Sequence, residues 1–265
     1  MPIECSKIIE RKNQETFYDI DFKVMGSAFD IHNRLGRFLD ESIYNMSLAN
    51  ACIDAGIKAD SEVTIKVSYK DFHKVYFFDI LVENGIIYEL KTCRELNSIH
   101  KQQLLNYLML ANINYGKLIN FRPENVEYEF VSTNLTYKSR HDYCFDTRNW
   151  DLQNKQYKLF ETILKELFAD WGGFLDLNLY KEAMIHFLGG KDAVISPVDI
   201  IDNGKIVGRQ KIPLLNRTTA FHFATVKKNF DIYCNHIKRL LKHSNLETIL
   251  VINIDKEKIT LTTVK

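Results

Sequence analysis

The chain has 265 residues, room for one large domain or two small ones, and its 46% apolar content supports a full core rather than disorder. Lys and Arg number 35 against 34 Asp and Glu, a formal charge of +1, which excludes a strongly basic nucleic-acid coat protein but allows a local basic groove. Cys5, Cys52, Cys93, Cys144 and Cys234 are scattered without zinc-ligand spacing, no apolar run is long enough to span a membrane, and no Gly-rich phosphate loop is present. The N-terminal residues have no apolar leader core, so a reduced, cytoplasmic protein is the expectation.

In chain order, the pattern predicts a helix over 19–35 and a second over 38–55, closed by Gly56. The run Gly36-Arg-Phe-Leu-Asp-Glu41-Ser-Ile-Tyr44 opens the second helix and puts Glu41 and Tyr44 on one face. Strands follow over 63–69, 75–82 and 86–92. A helix over 98–112 then carries Gln103 and Tyr107 four apart beside an apolar stripe of Leu104, Leu108 and Ala111. Strands over 116–121 and 126–131 complete the half. This order suits an α/β fold, a mixed sheet with helices on both faces.

The chemistry gathers in the hairpin from Asp79 to Lys91. Both arms are strand formers, and Glu83-Asn84-Gly85 supplies the reversal. Glu89 and Lys91 are two apart, so a strand puts them on one face. A two-residue turn would set Asp79 beside Leu90, on the wrong face. A three-residue loop with Gly85 in the left-handed region pairs Val82 with Ile86 and Asp79 with Glu89. That register gathers two carboxylates and an ammonium. Carboxylates so close repel unless a cation intervenes, and hard oxygen ligands suit magnesium or manganese. Asp79 and Glu89 are the expected metal ligands, the Leu90 carbonyl being a further oxygen that a nuclease site could add, and Lys91 would position an attacking water.

The Asp…Glu-x-Lys spacing resembles the signature of the PD-(D/E)XK nuclease superfamily. The Gln103-x-x-x-Tyr107 pattern is similar to one that follows the Glu-x-Lys strand in RecB-type exonucleases. Gly-x(4)-Glu-x-x-Tyr, the hairpin, His100-x-x-Gln-Leu-Leu-x-Tyr107-Leu and Leu118-Ile-Asn-Phe121 occur in the order of the GxxExxY family of that superfamily. The resemblance is dense over 24–130, and the long form of the family also extends through the second half. It implies a PD-(D/E)XK nuclease-like fold and a metal-dependent nuclease site, with no known substrate.

Plainer readings stand beside these. Glu41 in a first helical turn could simply favour the helix dipole, by about 0.3–1 kcal/mol. Tyr44 and Tyr107 could be core aromatics. His100 reads as a helix-start residue and Glu62 as a surface residue. Lys66, Lys70, Lys74, Arg94 and Lys101 cluster in sequence around the site, as a solvated strand edge would also allow.

The first domain is expected over 1–134, a connector ordered by Tyr143, Phe145 and Trp150 over 135–150, and a C-terminal α/β domain over 151–265. Gly172-Gly-Phe174-Leu-Asp-Leu-Asn-Leu-Tyr180 aligns with Gly36–Tyr44 at an offset of 136, and 225–264 parallels 92–131 at an offset of 133. The second half thus reads as a possible degenerate copy, with Ile212, His222 and Ala224 where the first has Asp79, Glu89 and Lys91, and Leu177 where it has Glu41. His186, His222, His236 and His243 fit no ligand set. The leading function is a divalent-metal-dependent nuclease acting on DNA, with Glu41, Asp79, Glu89, Lys91, Gln103 and Tyr107 as site residues. The alternative is a catalytically silent nuclease-like module binding nucleic acid or a protein. A plain scaffold would leave the acidic groups apart.

Overall fold

The first long helix, α1 (Gln14–Leu35), starts where the Asn13 side chain accepts the Thr16 N–H at 2.8 Å, and it ends at Gly36. Its buried positions, Phe17, Asp21, Val24, Ala28 and Ile31, recur at helical spacing and form one stripe. The computed structural model describes residues 3–265, and the chain divides into compact units spanning 1–139 and 140–265.

In the first unit, β1 (Ile3–Cys5), β2 (Ala59–Tyr69), β3 (Phe72–Val82), β4 (Ile86–Lys91), β5 (Tyr115–Asn120) and β6 (Glu127–Ser132) form one sheet in that order. Only β4 and β5 run parallel, joined by the crossover helix α3 (Ser98–Ala111); the other neighbours are antiparallel. Helices α1 and α2 (Glu41–Asp54) pack on one face, against Ile80, Tyr88, Leu90 and Ile119. By strand alternation Glu89 and Lys91 point to the other face, where α3 lies. The close approach of α3 requires Gly116: a β-carbon there would stand 2.8 Å from the Ile87 carbonyl and 3.1 Å from Leu104.

The β3–β4 register has Val82 opposite Ile86, across a three-residue loop. Positive φ falls on Glu83 (+47°) and Asn84 (+58°), not on the expected Gly85. Gly85 is instead demanded by crowding. A β-carbon would lie 2.2 Å from the Glu10 carbonyl and 2.7 Å from Lys12 Cγ, because Glu10 N–H donates to the Asn84 carbonyl at 2.8 Å. The ladder stops at Ile80–Tyr88, short of the expected Asp79–Glu89 pair. Asp79 Oδ2 accepts the Leu90 N–H at 2.7 Å, so a side chain takes the hydrogen bond that a strand carbonyl would have taken.

One charged pair lies inside the helical face of the sheet. Lys117 of β5 is ion-paired to Asp21 of α1, Tyr88 donates to the same carboxylate at 3.2 Å, and Tyr128 covers the ammonium at 4.8 Å. Burial first, then the Asp21 charge, push the Tyr88 hydroxyl well above its ordinary pKa.

The short helix α4 (Tyr137–Arg140) spans the boundary between the units. The second unit contains β7 (Cys144–Asn149), α5 (Lys155–Trp171), α6 (Leu177–Phe187), α7 (Lys191–Val194), β8 (Ile195–Asp202), β9 (Lys205–Pro213), β10 (Thr219–Ala224), α8 (Phe230–Lys242), β11 (Thr248–Asp255) and β12 (Lys258–Val264). Its sheet runs β10-β11-β12-β7, and β8–β9 form a separate hairpin. The segment read as a connector therefore contributes a strand, parallel to β12. It lacks alternation because it is a short edge strand, held from one side by Tyr143 and Phe145, each 5.4 Å from the Phe168 ring.

Several local geometries recur in both units. Glu89 stands opposite Leu118 and His222 opposite Val251, and the whole β4–β5 register reappears in β10–β11 at the offset of 133. Asn120 brackets the Cys93 backbone at 3.1 and 2.9 Å, as Asn253 brackets Val226 at 2.7 and 3.0 Å. The Tyr44 hydroxyl donates to the Gly36 carbonyl at 2.7 Å, and Tyr180 donates to Gly172 at 2.6 Å. No described helix is long and apolar enough to cross a membrane.

The Asp21–Lys117 pair yields a stability prediction. Asp21→Ala strands a buried ammonium and should cost about 3–5 kcal/mol in urea unfolding, whereas Asp21→Leu with Lys117→Met should recover most of that loss.

Candidate active site

The site begins with a loop that a tyrosine holds in place. Tyr44 is fully buried and stacks on Phe121 at 4.4 Å with an interplanar angle of 11°. Its hydroxyl donates to the Gly36 carbonyl and accepts the Leu39 N–H at 3.3 Å. Gly36 has φ +73°, which an L side chain adopts only with strain. These contacts keep 36–40 out of the helix, so α2 starts at Glu41 rather than at residue 38. Tyr44 thus acts on the site through the backbone: it fixes where Glu41 emerges.

Strand β4 supplies the centre. Glu89 is only 2% exposed; its Oε1 accepts from Lys91 Nζ at 2.8 Å, and its buried Oε2 has no hydrogen-bond partner among the described residues. Lys91 Nζ also lies 3.6 Å from Glu41 Oε1. Asp79 reaches the same place from β3 and is anchored by the Leu90 N–H. Glu41, Asp79, Glu89 and Lys91 therefore converge, and the charges of their neighbours act on Asp79, Glu89 and Lys91.

Burial pushes the Glu89 carboxyl up to about 7, with the Asp79 charge adding to the effect and Lys91 opposing it. Asp79 is raised for the same first reason, offset by the Leu90 N–H and Lys91, with Glu41 and Glu62 pushing it further up. For Lys91 burial acts downward, but Glu89, Glu41 and Asp79 outweigh it and the ammonium is held above its ordinary value. Repulsion between carboxylates is thus present, second to desolvation.

On α3, Gln103 Nε2 donates to the Tyr107 hydroxyl at 2.9 Å, and burial raises that hydroxyl to about 12 while Glu89, Lys91 and Asp79 all act on it. Tyr107 thus lies within reach of the acidic pair, and Gln103 is tied to it through that hydroxyl. His100 instead caps the helix: its Nδ1 accepts the Asn97 N–H at 3.3 Å, in line with its reading as a helix-start residue. Glu62, read from sequence as a surface residue, is exposed but sits between the Ser61–Ile80 and Val63–Phe78 pairs, level with Asp79, with φ +52° inside a strand. Its charge reaches Asp79. A positive φ in a strand leaves no mark in sequence, so the surface reading of Glu62 holds for its exposure and misses its place beside Asp79.

The donor set fits a hard divalent cation. Asp79 and Glu89 are close and desolvated, and Glu89 Oε2 is an unsatisfied acceptor inside the protein. Among the described residues no group of three or more His, Cys, Asp and Glu side chains is arranged around one ion position. An ion here would thus draw on two carboxylates, with backbone or water oxygens completing its shell.

The Glu89 shift fixes a pH dependence. The folded protein keeps this proton up to about pH 7, whereas the unfolded chain releases it near the ordinary glutamate value. Across that window the unfolded state binds fewer protons, so stability falls as pH rises and stays lower above it. Asp79 acts in the same direction. Glu89→Gln should therefore be more stable than the parent at pH 8 in chemical denaturation, and the difference should vanish towards pH 4.

A sequence profile of the PD-(D/E)XK nuclease superfamily matches residues 18–131, which contain all of these side chains. No curated protein matches the chain. Among solved structures, one described as the crystal structure of SSO0001 is 17% identical with a TM-score of 0.29, covering 48% of this chain; the match spans 62% of that chain, less than two thirds of its length. At residues 18–131 this protein matches the PD-(D/E)XK nuclease superfamily, a nuclease-like domain on a mixed sheet flanked by helices.

Proposed function

We propose that the first unit is a divalent-metal-dependent nuclease that hydrolyses phosphodiester bonds in DNA, within the GxxExxY branch of the superfamily. The observation that carries this reading is the buried Glu89 carboxylate, with one oxygen on Lys91, one unpartnered, and Asp79 beside it. Asp79 and Glu89 would hold Mg2+ or Mn2+, with the Leu90 carbonyl as a further oxygen. Such an ion, when bound, lowers the pKa of a water and offsets charge on the phosphate. Lys91 orients the attacking water and steadies developing negative charge. Glu41 keeps the ammonium pointed into the site from the α2 side. Gln103 and Tyr107 buttress that position and offer donors to the strand backbone.

A second reading, a silent nuclease-like module, draws support from the Lys91 contacts with Glu89 and Glu41, which already balance two carboxylates. The assay that separates them uses linear, nicked and single-stranded DNA with Mg2+ or Mn2+. The parent should degrade at least one of these, and Lys91→Ala should be slower by about 10²-fold or more. Metal-independent degradation, or equal rates for parent and Lys91→Ala, would overturn the nuclease reading.

We infer further that the second unit is a degenerate copy of the first. The reading is supported by the matching β4–β5 and β10–β11 registers, the two asparagine brackets and the two tyrosine latches. Its separate β8–β9 hairpin and added β7 are departures from the first unit. At the sequence offsets, Ile212, His222, Ala224 and Leu177 stand where the first unit has its charged groups. The second unit then has no metal-binding role.

A further inference from the structure

We propose that Arg37, Phe38, Arg94 and Arg122 form a stacking platform for unpaired nucleotides beside the acidic site. These four residues, with Thr92 and Pro123, line a groove of about 430 Å³ in the first unit. Phe38 is 73% exposed, which is unusual for a large aromatic on a loop held as tightly as 36–40. The Arg37 guanidinium lies 5.1 Å from its ring centroid and that of Arg122 lies 5.9 Å away. None of the three guanidiniums is ion-paired among the described residues, and no carboxylate lines the groove.

The groove is tied to the proposed catalytic centre through backbone at both ends. Thr92 directly follows Lys91, and its carbonyl accepts from Arg122 Nε at 3.3 Å. Phe38 lies three residues before Glu41 in the loop that Tyr44 latches, and the ring stacked on Tyr44 is Phe121, next to Arg122. His32 Nε2, as donor to the Pro123 carbonyl at 3.1 Å, fixes the other side of Arg122. The platform is therefore held in place before any ligand arrives.

Its chemistry selects the occupant. An exposed aromatic face among unpaired guanidiniums matches a polymer that alternates flat bases with phosphates. Bases in a duplex are already stacked on their neighbours, so the ring takes a base only from an unpaired segment. In a chain of net charge +1, three guanidiniums with no carboxylate lining their groove also make a local positive site rather than a general coat. At the offsets of the proposed repeat, Arg37, Arg94 and Arg122 correspond to Gly173, Lys227 and Asp255, so all three guanidiniums are absent from the second unit and one positive charge remains.

The inference rests on the nuclease reading for its consequence, a preference for single strands or frayed ends, but binding tests it without cleavage. Fluorescence anisotropy of the full chain in EDTA, with labelled oligothymidylate and a blunt duplex of equal length, is the measurement. The parent should bind the single strand more tightly. Phe38→Ala should weaken that binding roughly tenfold or more while changing duplex binding little, and Phe38→Tyr should restore it. Arg37→Ala with Arg122→Ala should reduce the salt dependence for both ligands. Because Phe38 is exposed, an unchanged thermal midpoint will show that the Ala variant is folded. A parent that prefers the duplex, or Phe38→Ala binding single strands like the parent, would overturn the platform and leave metal-dependent cleavage untouched. Phe38-dependent binding with no cleavage under any metal would keep the platform and remove the nuclease.

Discussion

The burial of one carboxylate organises the first unit. Glu89 sits in the middle of a parallel strand pair, 2% exposed, where an ionised group is costly unless something answers its charge. Lys91 answers one oxygen, and nothing among the described residues answers the other. That residual cost explains why the surrounding architecture is irregular. The β3–β4 ladder breaks off at the level of Asp79, β2 takes a positive φ at Glu62 beside it, and a helix starts late so that Glu41 faces the same point. A sheet optimised only for stability would have kept its ladder and filled these places with valine and isoleucine.

The hairpin shows how little freedom the chain has in making this arrangement. Side-chain period two means that a one-residue slip would send Asp79 to the α1–α2 face, among Tyr88, Leu90 and Ile119. The three-residue loop prevents the slip, and its tightness comes from the segment around Glu10 pressing on Gly85 rather than from Gly85's own backbone. A contact far away in sequence thus sets a register that local turn rules would assign to the glycine. Asp79 then gives up a ladder partner and takes the Leu90 N–H, which also pins the residue next to Glu89.

Much of this was legible in the residues because it repeats with a period. The helices, the strand order and the convergence of Glu89 with Lys91 follow from alternation and helical spacing. Three things were not. The positive φ at Glu62 lies inside a strand, and those at Glu83 and Asn84 lie in the turn two places and one place before the glycine expected to take it. The strand at Cys144–Asn149 has no alternation of its own and forms because β12 leaves an edge open. Tyr44 reads equally well as a core ring or a site residue, and only its hydrogen bonds show that it is a core ring whose hydroxyl shapes the site.

The tyrosine latch also shows which parts of such a site can drift. In both units a buried tyrosine stacks at nearly the same angle, 11°, and ties back a glycine carbonyl eight residues upstream. What differs is the ring beneath it. Tyr44 rests on Phe121, which belongs to the sheet, while Tyr180 rests on Phe168, which belongs to the preceding helix. The latch therefore tolerates a change of partner as long as an aromatic face is supplied, as volume-conserving core exchanges generally do. A carboxylate at the position of Glu89 has no such latitude, because an apolar substitute brings neither a charge nor an acceptor beside Asp79. Packing can be refilled from several directions, but a charge site has to be built from one set of residues. On the reading of the second unit as a copy, this asymmetry is why the latch, the asparagine bracket and the strand register remain there while the charges do not.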